Sequence, residues 1–327
     1  MHVLGAVLAV LSAATFALTN ATGRRGVITG TPVQGMVISI PVGLLCFVIV
    51  ALVTGALENL GRVSVLALAA LSGAGVIHFV IGRYCNFRAS QAAGVNLTAP
   101  VMQLNAVVTL TLAVVVLREP FTLLQMAGGI LMIAGSLVTQ RASQPASESK
   151  HSSDPPFAPR VAAGFFFASI AALMYGTSPI IVRQALQDVG PLGGIAGGTI
   201  AYAAATVAVA LGLFIPSLRR NVMQVSGENA RWFVYSGIFV AAAQGFLYSA
   251  LAVAPIMLVA PLLQLALVFR FLFALLLNPH HELFGAMVVI GSIVSIAGAC
   301  AVSIDTDLIL ASLPFPQALA TVLRSQF

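Results

Sequence analysis

Ten apolar stretches run through this chain with only short polar intervals between them, at residues 3–22, 33–54, 64–82, 92–116, 121–139, 161–182, 193–215, 232–252, 255–277 and 284–303. A hydrocarbon layer about 30 Å thick is crossed by roughly 20 helical residues, which is the length these stretches have. Strands of a spanning barrel would instead show segments of about 10 residues with alternating polarity. The pattern therefore predicts an all-α integral membrane protein with ten transmembrane helices. Composition agrees: 59% of the 327 residues are apolar and 7% are charged, against about 25% charged in soluble domains. The net charge of +6 is spread singly or in pairs between the apolar stretches, so it marks membrane flanks and predicts no nucleic-acid partner. Cys46, Cys85 and Cys300 lack the paired spacing of a disulfide framework or metal site, so neither a metal nor a cofactor is expected.

Residues 140–160 read QRASQPASESKHSSDPPFAPR, a Ser- and Pro-rich linker that divides the chain. It separates a first unit, 1–139, from a second, 161–304, which is followed by a tail, 305–327. The units resemble each other. Ala99-Pro100-Val101-Met102-Gln103-Leu104 matches Ala260-Pro261-Leu262-Leu263-Gln264-Leu265, and Gly128 and Gly135 correspond to Gly291 and Gly298. Glu119 precedes the fifth stretch as Glu282 precedes the tenth, and Ala14, Thr19 and Arg25 align with Ala172, Thr177 and Arg183. A unit with an odd number of spans forces its second copy to enter the membrane from the opposite side. The expected architecture is thus two inverted five-helix repeats, an arrangement frequent in secondary transporters, whose substrate site lies near midplane where the repeats meet.

Two such units, each with a Pro in its fourth helix, a Glu opening its fifth and a Gly-rich fifth helix, resemble the EamA-type transporters of the drug/metabolite transporter superfamily. The resemblance spans roughly residues 3–139 and 161–303 and rests on the order and duplication of the motifs. It departs where that family often carries Trp-Gly in the first helix, since this chain has Phe16-Ala17 and Tyr175-Gly176. It implies a secondary transporter moving a small metabolite or drug-like solute by alternating access, multi-pass in a bacterial inner (plasma) membrane. The implied partners are that solute and the lipid bilayer, with a homodimer also compatible. The competing classes are an integral-membrane enzyme, for which no cluster of acids, His pairs or nucleophile with a base is present, and a non-transporting membrane scaffold.

Polar residues inside the spans are the candidates for contact with a solute. Pro100 and Pro261 each free a backbone carbonyl within a long apolar stretch, either to kink the helix or to line a wet cavity. Gln103 and Gln264 follow them by three and are expected to face a central site or bond across helices. Arg270, within Leu267-Val268-Phe269-Arg270-Phe271, either snorkels to the interface or meets a carboxylate or phosphate on the substrate. His78 is the His well inside a span and is followed by Tyr84; it is either a packing residue or a proton site. Asn20 and Thr19, with Thr177 and Ser178 in the second unit, line the cavity or bond back to their own helices. Gln244 and Tyr248 share one helix face. No Asp or Glu falls inside any span, which leaves a carboxylate proton relay without a carrier. Arg83 and Arg88 are counted with Arg24, Arg25, Arg141, Lys150, Arg160, Arg219, Arg220 and Arg231 on loops opposite the termini. That asymmetry places the termini outside, whereas the family resemblance implies that they are cytoplasmic.

Overall fold

The computed structural model describes residues 2–58, 63–93, 98, 101, 102, 104–118, 122–142, 160–186, 190–263 and scattered positions up to 323. The described residues form helices and no strand: α1 (His2–Thr29), α2 (Pro32–Thr54), α3 (Val65–Gly75), α4 (Arg83–Ala93), α5 (Leu104–Leu117), α6 (Leu123–Ala142), α7 (Val161–Leu186), α8 (Gly190–Gly212), α9 (Pro216–Met223), α10 (Gly227–Val253) and α11 (Ile256–Leu263). A π-helical turn, Val76–Gly82, joins α3 to α4 without a break. Among the described residues, six helices are long and apolar enough to cross a membrane: Val3–Val27, Pro32–Thr54, Val65–Ala92, Ala162–Leu186, Pro191–Gly212 and Gly227–Val253. Large apolar side chains such as Val53, Val65 and Phe214 stand exposed on the outer surface. Water would penalise that exterior, and lipid does not.

The third span corrects the expected segmentation. It runs over Val65–Ala92 rather than 64–82, so the polar run after Gly82 is helix inside the bundle and not a loop. The fourth segment, expected over 92–116, contains the helix Leu104–Leu117, and residues 94–97, 99, 100 and 103 lie outside the described residues. The linker at 143–159, most of 284–303 and most of the tail lie outside the described residues.

Helix ends follow local chemistry. Thr31 caps α2 with its side chain accepting from the Gln34 N–H while the Gln34 side chain accepts from the Thr31 N–H, and Pro32 sits at the first helical position. This reciprocal cap satisfies two donors that the first turn leaves free, and Pro has no donor to lose there. The same residues tie the first half of the chain to the second. Thr31 Oγ1 donates to Asn221 Oδ1 at 2.6 Å and Gln34 Nε2 to the Asn221 carbonyl at 2.8 Å. Thr31→Ala is therefore expected to lower unfolding stability by about 1–2 kcal/mol, read from denaturant titration in mixed micelles. The far end of α2 closes on Gly55 at φ 72°, the left-handed cap that Gly adopts without penalty.

Much of the packing joins one half of the chain to the other. α1 lies along α10, and α7 lies along α3, the π turn and α4. α2 packs on α8 and α10, α8 on α3, α1 on α11 and α7 on α5. Small residues let these backbones approach. The fully buried Phe233 ring of α10 sits among Gly26, Gly30 and Gly35, and a Cβ on Gly43 or Gly198 would overlap the rings of Tyr202 or Phe47. In a membrane, where lipid is as apolar as the core, such close contact and interhelical hydrogen bonds hold helices together.

Candidate functional site

Three of the spans place an aromatic or imidazole ring at mid-length. His78 is the midpoint of Val65–Ala92, Tyr175 falls at the centre of Ala162–Leu186, and Tyr202 at the centre of Pro191–Gly212. The three are brought together. The His78 ring lies 4.7 Å from Tyr175 and 4.9 Å from Phe79, whose ring stacks on Tyr202 at 4.0 Å, and Tyr202 in turn lies 5.0 Å from Phe47. The cluster is an aromatic layer across the middle of the bundle. His78 belongs to the π turn, a local widening that displaces the residues after it around the helix and is frequent at functional sites.

Two polar links cross this layer. Gln244 of α10 is fully buried, and its Nε2 lies 2.7 Å from His78 Nε2, a pair 166 residues apart in sequence. With the amide nitrogen donating, His78 offers its lone pair and Gln244 Oε1 has no partner. With the amide turned over, its nitrogen is left in the same position. Either way one end of a buried amide is free. One helical turn on, Tyr248 is 2% exposed and its hydroxyl also has no partner. A buried, unpaired polar group costs about 1–3 kcal/mol, and three converge here, the third being the Tyr202 hydroxyl.

The second link is a charge. Arg83, in the first turn after the π segment, is 6% exposed. One guanidinium nitrogen donates to Ser236 Oγ of α10 at 3.0 Å, and Ser236 itself reaches toward the Thr19 carbonyl of α1 at 3.5 Å. The guanidinium carbon stands 5.1 Å from the Phe87 ring centre, Tyr175 and Tyr202 lie within electrostatic reach, and Arg83 Nε has no partner. Glu58 and Glu228 are the acids among the described residues, and both are exposed near helix ends. Arg83 was expected in a loop, because a run of Arg, Asn, Ser and Gln after Gly82 reads as the end of an apolar segment. It is instead a charge buried within a span, whereas Arg88 and Arg183, also inside spans, are half-buried. Arg88 belongs to the same span and bonds Gln91 at 2.9 Å.

The other candidates distribute as follows. Thr19 is buried and donates to the Thr15 carbonyl of its own helix at 3.0 Å, while Asn20 beside it is half-buried. Ser178 is buried with Oγ 3.5 Å from the Ala74 carbonyl of α3, and Thr177 is half-buried. Tyr84 is half-buried and meets Phe167 edge-on at 6.5 Å, one turn from the layer. Pro261 lies in α11, and its side chain is outside the described residues. Pro100, Gln103, Gln264 and Arg270 are also outside them. Sequence reasoning missed Arg83, Ser236, Tyr175 and Tyr202 as site residues. The signal available for the two tyrosines was their position at the centre of a span.

The fold and composition define an integral membrane protein built from apolar helices. Residues 3–141 match the sequence profile of the EamA-like transporter family, and over those residues the chain is similar to that family. A solved structure described as "Crystal structure of protein" is 17% identical, and the match covers 96% of this chain and 99% of that one with a TM-score of 0.64. At that identity the likeness concerns the fold. No curated protein matches the chain significantly.

Proposed function

We propose that the protein is a secondary transporter that moves a small metabolite or drug-like solute by alternating access between two inverted five-helix repeats. The observation that carries this reading is the buried polar layer at mid-membrane, where His78 from the first half meets Gln244 from the second. Unpaired polar groups in a bilayer are costly and mark solute or ion pathways. The packing supports the repeat. The first helix of each half lies on the third of the other, the first on the fourth, the second on the third, and the two second helices on each other. Reciprocal pairing of this kind is what a pseudo-two-fold axis in the membrane plane generates. Alternating access then rocks one half against the other around a fixed site, with Tyr175, Tyr202, His78 and Gln244 contacting the solute. A bacterial inner membrane is the setting that the family suggests.

The test is solute flux in proteoliposomes, screened across amino acids, organic anions and cationic drugs. Saturable, protein-dependent counterflow of one class is the expected result, and flux no greater than in empty vesicles for every class would overturn it. The coupling also has an expectation. With no acid inside a span, an imposed pH gradient is expected to change uptake of a neutral solute less than about twofold, as facilitated diffusion or exchange requires. Strong gradient-driven uptake that disappears in His78→Ala would instead assign proton coupling to the imidazole.

A further inference from the structure

The geometry points to Arg83 as the recognition residue for a monocarboxylate solute with an aromatic or apolar body, an inference that rests on the carrier reading above and adds its substrate class. An arginine held 6% exposed inside a helix bundle loses its hydration, and the loss is offset only where its donors and charge are met. Here a single hydroxyl, Ser236 Oγ, takes one guanidinium nitrogen, and Nε has no partner. Among the described residues no carboxylate is available to neutralise it, since Glu58 and Glu228 are exposed near helix ends, and the sequence puts the other acids between or beyond the apolar segments. The missing counter-charge is therefore supplied by a diffusible anion.

The charge count selects the kind of anion. One guanidinium matches one negative charge in bidentate geometry. A phosphate dianion would carry a surplus charge into a low-dielectric layer, and a group bearing an ammonium would find no carboxylate to meet it. The rest of the solute meets the rings beside the arginine. Phe87 lies under the guanidinium, and Tyr175, Tyr202 and Phe79 form the adjoining layer. The free end of the Gln244 amide supplies one further polar contact. Arg83 also sits directly after the π turn that carries His78, so a shift of that turn would move the charge and the imidazole together.

The test uses the full-length protein in lipid nanodiscs with two probes of equal size, phenylacetate and its uncharged amide, phenylacetamide. Thermal stabilisation is titrated to obtain apparent affinities. Wild type is expected to bind phenylacetate at least tenfold more tightly than phenylacetamide. Arg83→Gln is expected to abolish that preference by weakening phenylacetate alone, and Arg83→Lys to retain part of it. Ser236→Ala keeps the charge and loses the hydroxyl that orients it, so a severalfold weaker phenylacetate response is expected even if Arg83→Gln does not fold. Equal binding of the two probes by wild type, or tighter binding of inorganic phosphate than of phenylacetate, would overturn the assignment. So would unchanged phenylacetate binding in Arg83→Gln. Vesicle flux separates this failure from failure of the carrier reading. Selective phenylacetate binding without flux of any solute removes the carrier and leaves the anion site, whereas saturable flux with no carboxylate preference removes the anion site and leaves the carrier.

Discussion

Gly75→Val is expected to lower unfolding stability by about 3 kcal/mol or more, or to prevent assembly of the bundle altogether. Gly75 ends α3 where that helix crosses α8. A Cβ there would run into the Ala201 backbone, overlapping its carbonyl oxygen and standing 2.7 Å from both its carbonyl carbon and its Cα. A side chain in the way can change rotamer, but a backbone within a helix cannot move without carrying the helix with it. Forcing the two helices apart would also open the aromatic layer, because Tyr202 follows Ala201 and stacks on Phe79. Gly73, two residues earlier in the same helix, provides the control. A Cβ at Gly73 has nothing within 4 Å, so Gly73→Val changes local helix propensity by a few tenths of a kcal/mol and little else. Denaturant unfolding in bicelles, with wild type and both variants side by side, reads the difference. Equal stability of the two valine variants would show that the α3–α8 crossing is not close-packed at this point.

The membrane-spanning character of the chain was legible because lipid imposes a length and a polarity that any averaging window detects. The two repeats were expected from matched positions such as Pro100 and Pro261, and the pairing of helices across the chain is what supports them in the carrier reading. Averaging failed where a helix faces protein and not lipid. The run from Arg83 to Gln91 is polar enough to end a segment by composition, yet it is helix inside the bundle, with Arg83 and Cys85 buried and Arg88 against Phe167. Tyr175 and Tyr202 were hidden for the opposite reason, since an aromatic ring in an apolar stretch looks like any other core residue until its neighbours are known. His78 and Gln244 each stood out alone as a polar residue in a span. That they meet depends on α10 lying beside the π turn, a tertiary fact with no local signature in either stretch.

That meeting permits a separation of stability from transport. Gln244→Leu leaves the His78 ring without its buried partner, and His78→Phe leaves the whole Gln244 amide unpaired at zero exposure. Each single change is expected to cost about 1–3 kcal/mol, the penalty for an orphaned buried polar group. The double variant His78→Phe/Gln244→Leu removes both partners and fills their space with apolar groups of similar size, so its stability is expected to return to within about 1 kcal/mol of wild type. Transport is expected to behave differently. If the pair contacts the solute, as the carrier reading holds, the apolar double variant lacks both groups and its flux stays at least tenfold below wild type although its fold is restored. A cycle of four proteins, each measured by unfolding in bicelles and by counterflow in proteoliposomes, yields both couplings. Recovery of flux together with stability in the double variant would mean that His78 and Gln244 serve only to hold α10 against the π turn. Flux that stays low in a stable protein ties the pair to the solute path.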